Sequence, residues 1–286
     1  MKEAVKFIKQ TRFGQWFKRT RFCHFLKQSQ GDWRYPFLIF TWTLADFLVP
    51  RRRVVVDHVS FTLPCNNWVT HFRWYLFKNK EEEVRYYIDR YVQEGDTFFD
   101  IGANIGVFSV YTAKRFASIS CFCFEPEYSN LQMLKENVIT NKILHKVTIY
   151  SVAIGNVIGL SRLNLQDLTS GSASHTESKE AIKTTQEGYP VVWSEGIMSV
   201  TLDYICQELG IVPNALKIDT DGNEDKVLQG AVKTLLDERL RSLVLEMPDD
   251  KEKELYCRQM LAAAKFDLEW SDKEKTRNQI WVKKTK

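Results

Sequence analysis

Short apolar runs recur along the chain from about residue 95 and alternate with segments whose apolar residues have helical spacing. A short apolar run bounded by turn residues is typical of a buried strand, and strands that alternate with helices form a parallel sheet with helices on both faces. The sequence therefore predicts an α/β protein with a doubly wound sheet. The predicted strands are 97–101, 120–124, 147–152, 216–218 and 242–245, followed by a closing pair at 266–270 and 279–282.

Helices are predicted between these strands. Leu131, Leu134 and Val138 have i, i+3, i+7 spacing, which puts them on one face of a helix. The polar stretch 161–196 interrupts the alternation, and we expect it to form a loop or hairpin. Further helices are predicted over 107–116, over the segment that carries Val227, Leu228, Ala231 and Leu235 on one face, and over 250–264.

Length and charge indicate one large domain with a basic extension. The 286 residues are 44% hydrophobic, which is enough to build a core. The formal net charge is +4, but residues 1–60 contain 12 Lys or Arg and 4 Asp or Glu, so this segment carries +8 and the remainder −4. The basic segment either contacts an anionic partner or forms a solvated surface. We assign 1–74 to an N-terminal extension and 75–286 to the α/β domain.

The cysteines and the N-terminal sequence predict a cytoplasmic protein. Six cysteines are scattered and none forms a C-x-x-C pair, so neither a zinc site nor a disulfide framework is expected. The N-terminal stretch lacks the uninterrupted apolar region of a secretory signal. The most apolar early stretch, 37–49, contains Asp46 and is too short to span a bilayer.

The candidate chemistry is concentrated where the predicted strands end, which is where open α/β sheets bind ligands. Residues 100–106 read D-I-G-A-N-I-G, after one strand and before a helix. A dinucleotide-binding loop would read G-x-G-x-x-G, whereas here Asn104 replaces the middle glycine and the spacing is one residue shorter. S-adenosylmethionine (SAM) suits this loop better because it has no phosphate. Asp100 suits its cationic end, and Glu125, at the end of the next strand, can accept hydrogen bonds from both ribose hydroxyls.

Several motifs together resemble those of the FkbM family of SAM-dependent methyltransferases. They are F-F-D-I-G-A-N-I-G-V-F-S, F-E-P, V-A-I-G-N, V-T-L-D-Y-I and L-K-I-D-T-D-G-N-E, in this order within residues 75–283. The resemblance implies a class I, Rossmann-like fold whose sheet is mostly parallel with an antiparallel last strand. It also implies SAM as the cofactor and O-methylation of a hydroxyl of a sugar, polyketide or other natural product as the reaction.

The resemblance also assigns residues to the cofactor site. Glu125 would hold the ribose, Val152 and Ala153 would lie near the adenine, and residues 171–174 would form a small-residue loop near the active site. Asp221 departs from the family pattern, which usually has glutamate there, and its side chain is shorter. The residues that would line the cofactor loop are Asp100, Gly102, Ala103, Asn104 and Gly106.

The segment from Asp219 to Glu224, D-T-D-G-N-E, carries the candidate catalytic groups. A neutral hydroxyl is a poor nucleophile, so a carboxylate that takes its proton is expected, and Asp221 and Asp219 are the candidates for this base or for holding the acceptor. Two alternatives stay open. The oxygen-bearing side chains bind Mg²⁺, which lowers the pKa of the hydroxyl, or Asp221 and Asn223 cap the following helix. His175 is a further candidate base, and we assign no metal ligands.

The N-terminal extension has two interpretations. A basic amphipathic helix can lie in a membrane interface, and Arg51, Arg52 and Arg53 would add to its attraction to an anionic surface. The acceptor would then be lipid-linked. Alternatively, the aromatic residues pack on the α/β domain as a lid. The bulky residues that share one side of the predicted helix are Val5, Ile8, Phe13, Trp16 and Phe17.

The leading functional hypothesis is SAM-dependent O-methylation of a small-molecule or glycan acceptor. Methylation of nucleic acid is the first alternative, because aromatic residues are interleaved with the basic residues of the extension. The chain has no N/D-P-P-Y/F tetrapeptide and is net acidic after residue 60, so no nucleic-acid partner is expected. A non-catalytic assembly protein with a SAM-type fold is the second alternative, and the intact glycine loop and strand-end acids argue against it.

Overall fold

The chain divides into two units, Met1–Pro50 and Arg51–Lys286. The predicted amphipathic helix around Trp16 lies outside the described residues. Among the described residues, no helix combines the length and the apolar character needed to cross a bilayer. The structure, a computed structural model, describes 48–284 except Lys80, Glu187 and Lys273, together with Thr41, Leu44 and Ala45.

Thirteen strands lie in the described part of the second unit. The predicted strands are all found, with ends that differ by three residues or fewer. The strands are β1 (Arg51–Val56), β2 (Val59–Pro64), β3 (Thr97–Ile101), β4 (Ser120–Phe124), β5 (Val147–Tyr150), β6 (Ala153–Gly155), β7 (Gly159–Leu165), β8 (Thr176–Ser178), β9 (Trp193–Thr201), β10 (Ala215–Ile218), β11 (Ser242–Glu246), β12 (Phe266–Ser271) and β13 (Asn278–Lys283).

Helices connect these strands and cover both faces of the main sheet. They are α1 (Trp68–Asn79), α2 (Glu82–Tyr91), α3 (Val107–Arg115), α4 (Tyr128–Thr140), α5 (Leu202–Leu209), α6 (Glu224–Gln229), α7 (Val232–Leu236) and α8 (Lys251–Ala263). One apolar cluster lies on each side of the sheet. The first is formed with α2, α3 and α4, and the second with α5, α6, α7 and α8.

The main sheet has seven strands in the order β12-β13-β11-β10-β3-β4-β5. Strands β5, β4, β3, β10 and β11 are parallel, and β13 is inserted antiparallel between β11 and β12. This is the doubly wound, Rossmann-like sheet with an antiparallel last strand that the sequence predicted. From β3 the chain adds β4 and β5 on one side of the sheet, and it then adds β10 and β11 on the other side. Ligands are therefore expected beyond the carboxyl ends of β3 and β10, where this change of side occurs.

The polar stretch 161–196 contributes to a second sheet. This four-stranded sheet has the order β6-β9-β7-β8, and β7 pairs with β9 from Gly159 opposite Ser199 to Leu165 opposite Trp193. Part of the stretch therefore forms a hairpin of β7 and β9, as one of the two interpretations expected. Neither interpretation included strands β6 and β8.

The helix predicted through Val227 and Leu235 is broken in two. Gly230 separates α6 from α7 and packs directly on β6, since a Cβ there would lie 2.0 Å from the carbonyl oxygen of Gly155. The continuous helix was wrong because apolar spacing does not record how closely the backbone approaches a neighbouring strand.

The predicted domain boundary at residue 75 falls within α1 and needs correction, because the compact unit begins at Arg51. The β1–β2 hairpin lies on α3 and α4, and its Phe61 is only 2% exposed. The Phe61 ring packs edge to face on Phe77 at 5.4 Å and tilts against Tyr111 at 6.3 Å. Residues 51–74 therefore complete the core and are not an extension.

Replacing Phe61 with alanine tests this assignment. A buried phenylalanine that is truncated in a core costs about 3–5 kcal/mol of unfolding free energy. We expect a loss of this size in urea denaturation. Val55→Ala is the control on the same hairpin, because Val55 is 56% exposed and its truncation should cost less than about 0.5 kcal/mol. Equal, small losses of unfolding free energy for both variants would show that the hairpin is part of the extension and not of the core.

Candidate active site

A cavity of about 330 Å³ lies beyond the carboxyl ends of the central strands, as the topology predicts. Eight of the predicted site residues line it, and they come from the ends of β3, β4 and β10 and from the loops around β6 and β8. They are Gly102, Asn104, Glu125, Val152, Ala153, His175, Asp219 and Asp221.

Two glycines shape the loop that follows β3. Gly102 has φ of +73°, and a Cβ there would lie 1.7 Å from the carbonyl oxygen of Asp219. Gly106 has φ of +75°, and its Cβ would meet the Leu134 side chain at 2.0 Å. Glycine tolerates both the conformation and the contact. Gly106 and the neighbouring Ala103 are not among the described residues that line the cavity. We assign them to the packing of the loop.

Asn104 links the glycine loop to the two loops beside it. It adopts a left-handed conformation with φ of +50°, and its backbone N–H donates to Glu125 Oε2 at 2.8 Å. Its Nδ2 donates to the carbonyl oxygen of Ser172 at 2.7 Å, and its Oδ1 accepts from the Ile105 N–H at 2.8 Å. The predicted small-residue loop is therefore fixed to the glycine loop by this one side chain.

Glu125 projects from the end of β4 into the cavity. Its Oε2 accepts from Asn104 and its Oε1 accepts from the Glu127 N–H at 2.9 Å. Burial raises its pKa to about 7, although the two backbone donors favour the ionised form. The carboxyl group is thus oriented before any ligand binds and titrates near neutral pH.

Asp100 does not line the cavity, and the prediction that its side chain contacts the cofactor needs correction. Its carboxylate is 1% exposed and lies 3.2 Å from the ammonium of Lys217, which is itself buried. Its second oxygen accepts from the Ser109 hydroxyl at 2.5 Å. A charge this buried requires an opposite charge beside it, and Lys217 supplies that charge.

Lys217 also lies 3.2 Å from Asp219, so one ammonium group holds the ends of β3 and β10 together. Burial lowers the pKa of Lys217, but Asp100 and Asp219 raise it more, and the net shift is upward. Sequence reasoning missed this residue. The signal was a lysine within the apolar strand A-L-K-I, next to a strand-end aspartate.

Three carboxyl groups gather in the cavity wall beyond β10 and β11, which lie on the other side of β3 from the strand that precedes Glu125. One oxygen from each of Asp219, Asp221 and Glu246 lies within 4.8 Å of the others. Arg277 donates to Glu246 at 2.8 and 3.2 Å. Such a cluster matches the oxygen ligands that a hard divalent cation prefers, while Lys217 and Arg277 already balance part of its charge.

Asp219 and Glu246 differ in the direction of their pKa shifts. Burial raises the pKa of Glu246 well above its ordinary value, and the charge of Asp219 raises it further. Burial also acts to raise the pKa of Asp219, but the Lys217 charge outweighs it and the net shift is downward. The pKa values of these two neighbouring carboxyl groups therefore shift in opposite directions.

Asp221 contacts the small-residue loop. Its Oδ2 accepts from the Ser174 N–H at 2.8 Å and from the His175 N–H at 3.4 Å. Asn223 precedes α6 but makes no capping hydrogen bond with its side chain. The turn is instead held by Glu224, whose Oε1 accepts from the backbone of Thr220 at 2.8 Å and of Gly222 at 3.1 Å. The capping interpretation therefore does not apply to Asn223.

His175 lies in the wall of the cavity and is 7% exposed. Its buried Nδ1 has no hydrogen-bond partner among the described residues. Burial lowers the pKa of His175 to about 4, Arg73 lowers it further, and Asp167 opposes the shift. The imidazole is therefore neutral at pH 7 and can accept a hydrogen bond from a ligand, but it is a weak base.

Sequence reasoning missed four further groups of the cavity wall: Arg73, Glu81, Arg277 and Asn278. They belong to α1, the α1–α2 link and the start of β13, and none lies in a recognised motif. Burial raises the pKa of Glu81 to about 7, against the effect of Arg73. No local pattern marks these residues, because only the tertiary fold brings them to the strand ends.

Fold and cavity together define a class I methyltransferase. Its features are the doubly wound sheet with an inserted last strand, the glycine loop after β3 and the carboxylate after β4. The chain belongs to the FkbM methyltransferase family, since the family model described as "Methyltransferase FkbM domain" matches residues 100–268. It is therefore a SAM-dependent methyltransferase.

Individual relatives are distant. The chain is 26% identical over 178 residues to the 31-O-demethyl-FK506 methyltransferase FkbM of Streptomyces tacrolimicus, covering 55% of this chain and 67% of the relative. Among solved structures, the FkbM methyltransferase of Methylobacillus flagellatus KT aligns with a TM-score of 0.48 and 14% identity, covering 75% of this chain and 52% of that chain. The Pyrococcus abyssi tRNA (uracil-54, C5)-methyltransferase in complex with S-adenosyl-L-homocysteine aligns with a TM-score of 0.36 and 11% identity, covering 81% and 42%.

The Lys217 contact can be tested by substitution. Lys217→Met keeps an unbranched apolar side chain, one atom shorter, but removes the charge, which leaves Asp100 buried without this cation. Loss of one partner of a buried ion pair costs about 3–5 kcal/mol, and we expect this loss in urea denaturation. The control is Lys233→Met on the exposed side of α7, where we expect a change below about 0.5 kcal/mol. A Lys217→Met variant as stable as the wild type would contradict the structural role of this ion pair.

Proposed function

We propose that the chain transfers the methyl group of SAM to a hydroxyl of a sugar, glycan or other natural product. The observation that carries this proposal is the composition of the cavity. One end has the glycine loop and a preoriented carboxyl group, and the other has a cluster of carboxyl groups. The first suits a ribose and an amino acid, and the second suits an acceptor that must lose a proton.

The cofactor end supports SAM through Glu125. Each of its oxygens accepts one backbone N–H, and each has a lone pair left to accept from a ribose hydroxyl. Val152 and Ala153 line the adjoining wall and offer a mainly apolar surface for the adenine. Asp100 acts indirectly in this proposal, because its ion pair with Lys217 fixes the strand end from which the glycine loop starts.

The acceptor end supports removal of a proton from a hydroxyl. As the methyl group is transferred, the hydroxyl oxygen gains positive character and its proton becomes acidic, so a nearby carboxylate can take it. We propose Asp221 and the ionised Asp219 for this role. His175, neutral at pH 7, would accept a hydrogen bond from the same acceptor. The cavity also positions the acceptor and excludes water from the reactive sulfonium.

A base is favoured over a metal ion here because Lys217 and Arg277 already compensate part of the negative charge. Asp219 and Glu246 each contact one of these cations. A divalent cation would have to compete with both. The three carboxyl groups nevertheless have the chemistry of a magnesium site, so the choice between base and metal is an outcome of the experiment below.

An oxygen nucleophile also agrees with the name of the curated relative, which refers to an O-demethylated acceptor. The alternative of nucleic-acid methylation is less favoured by the electrostatics, since phosphates would be repelled by the acidic end of the cavity. A non-catalytic role is less favoured because the cavity contains groups that titrate near neutral pH, as expected of catalytic sites.

Binding of SAM should depend on pH through Glu125. If the ribose hydroxyls donate to the carboxylate, binding requires the ionised form, and the pKa of the free protein is about 7. We therefore expect the affinity to rise with pH up to about 7 and then level off. Below that value, it should fall by up to about tenfold per pH unit. Isothermal titration calorimetry with SAM from pH 5.5 to 8.5, values chosen as roughly 1.5 units on either side of this pKa, measures the profile.

Glu125→Gln is the control for this profile. The variant should bind SAM more weakly at pH 8, and its affinity should not depend on pH in this range. If the pH dependence survives in Glu125→Gln, another group, such as Glu81, controls binding, and the assigned contact with the ribose is wrong.

Asp221→Asn should separate catalysis from cofactor binding. The amide oxygen can still accept the Ser174 N–H, so the loop should keep its conformation. We expect methyl transfer to fall by about 10²–10⁴-fold, as for loss of a general base, while SAM affinity changes only a few-fold. The measurement is transfer of labelled methyl from SAM to a panel of glycosides and natural-product alcohols. Asp267→Asn, on the exposed strand β12, is the matched control and should keep full activity.

Chelation decides between base and metal. Activity that survives EDTA supports the base, whereas activity lost to EDTA and restored by Mg²⁺ supports a metal held by Asp219, Asp221 and Glu246. Full activity of Asp221→Asn on an accepted substrate, with or without EDTA, would remove Asp221 from the mechanism.

A further inference from the structure

Helix α1 exposes an aromatic face that no described part of the domain covers. Trp68, Phe72 and Tyr75 are spaced i, i+4, i+7 and therefore lie on one side of the helix. They are 73%, 43% and 44% exposed, respectively. The residues that pack into the domain, on the opposite side of the helix, are Val69, Thr70 and Phe77.

Single exposed aromatic residues are common on protein surfaces, but a continuous cluster of three marks an interaction site. The Phe72 and Tyr75 rings stack on each other, with centroids 6.3 Å apart and an angle of 14° between their planes. Their neighbour Trp68 is the most exposed of the three. The aromatic face, defined by these three residues, is therefore one patch.

Basic side chains lie on one flank of helix α1, beside Trp74, which is not part of the aromatic face. The guanidinium of Arg52 on β1 and the ammonium of Lys78 on α1 both lie over the ring of Trp74, at 5.7 and 5.9 Å from its centre. Arg51 and Arg53 are also exposed on β1, which packs against α1. Residues 51–79 contain five Lys or Arg and one Asp. This segment, which contains the aromatic face and borders it, therefore carries a net charge of +4, from five positive residues and one negative residue.

Helix α1 is also attached to the wall of the active site. Its Arg73 lines the cavity and donates to the carbonyl oxygen of Gly171 at 2.7 Å. Asn67, at the start of the helix, donates to the hydroxyl of Ser170 at 2.9 Å. A surface that binds the aromatic face would therefore contact the same helix that holds Ser170 and Gly171, at the small-residue loop of the cavity wall.

We propose that the aromatic face and the arginines of β1 dock on an anionic lipid surface, and that the methyl acceptor is a hydroxyl compound anchored in that surface. Trp, Tyr and Phe side chains bury themselves at the boundary between headgroups and acyl chains, and basic residues beside them attract anionic headgroups. The acceptor class rests on the proposed function, whereas the docking surface does not.

An anionic lipid surface accounts for both the aromatic residues and the basic residues. A nucleic acid would account for the arginines and would stack bases on aromatic rings, but the acidic end of the adjoining cavity would repel its phosphates. A neutral glycan would account for the rings but not for the positive border. The aromatic and basic residues together therefore favour an interface that is apolar within and anionic at its surface.

Flotation of the full-length protein with vesicles tests the docking surface. Vesicles of phosphatidylcholine with phosphatidylserine should carry the wild type, and vesicles of phosphatidylcholine alone should carry much less. Trp68→Ser with Phe72→Ser should weaken binding to the anionic vesicles by at least about tenfold. Arg51→Gln with Arg53→Gln should weaken it by about fivefold for each charge removed.

Leu160→Ser with Leu255→Ser is the matched control, because these leucines are 89% and 56% exposed elsewhere on the domain. It should float as the wild type does. Calorimetry with SAM should give wild-type affinity for every variant, which shows that the fold and the cofactor site are intact.

Three results would overturn the inference. The first is that the wild type stays in the soluble fraction with anionic vesicles at low salt. The second is that the aromatic variant floats as well as the wild type, which would assign membrane binding to residues 1–50. The third is that binding to random RNA matches binding to vesicles and is lost only in the arginine variant. In each case methylation of a hydroxyl can still be measured with water-soluble acceptors, so this failure is distinct from failure of the proposed function.

Discussion

A single buried ammonium group determines the geometry of the active site. Lys217 lies between Asp100 at the end of β3 and Asp219 at the end of β10, which are the strands on either side of the point where the sheet reverses its direction. Gly102 approaches the Asp219 carbonyl at this point, where the backbones of the two strands are also paired. Cofactor loop and acceptor cluster therefore share one electrostatic contact, in which Lys217 and Asp100 are buried and Asp219 is partly exposed.

The same contact sets the protonation of the acceptor end. Lys217 lowers the pKa of Asp219, whereas burial and the charge of Asp219 raise the pKa of Glu246. Burial brings the pKa of Glu81 and Glu125 to about 7 at the two ends of the cavity. A cationic cofactor entering this cavity meets carboxyl groups that differ in charge at one pH. Their pKa values differ because burial dominates at Glu81, Glu125 and Glu246, whereas the Lys217 charge dominates at Asp219.

The sequence predicted the features that depend on local pattern. The seven strands of the main sheet, the glycine loop and the strand-end acids were predicted from apolar runs and short motifs, because these depend on residues close together in the chain. Three features could not be read in this way. The hairpin that buries Phe61 belongs to the core only through contacts with α3 and α4, Gly230 breaks a helix only because Gly155 lies beneath it, and Arg73 joins the cavity only through the docking of α1.

The loop from Gly171 to His175 illustrates what long-range contacts imply for folding. It takes its conformation from Asn104, Asn130 and Asp221, and these anchors lie 41 to 68 residues away in the chain. Contacts between distant residues form slowly, because the entropy of closing the intervening loop is lost first. The link between Asn104 and Glu125 spans only 21 residues. During refolding, the cofactor half of the cavity should therefore form early, and the acceptor half should form last.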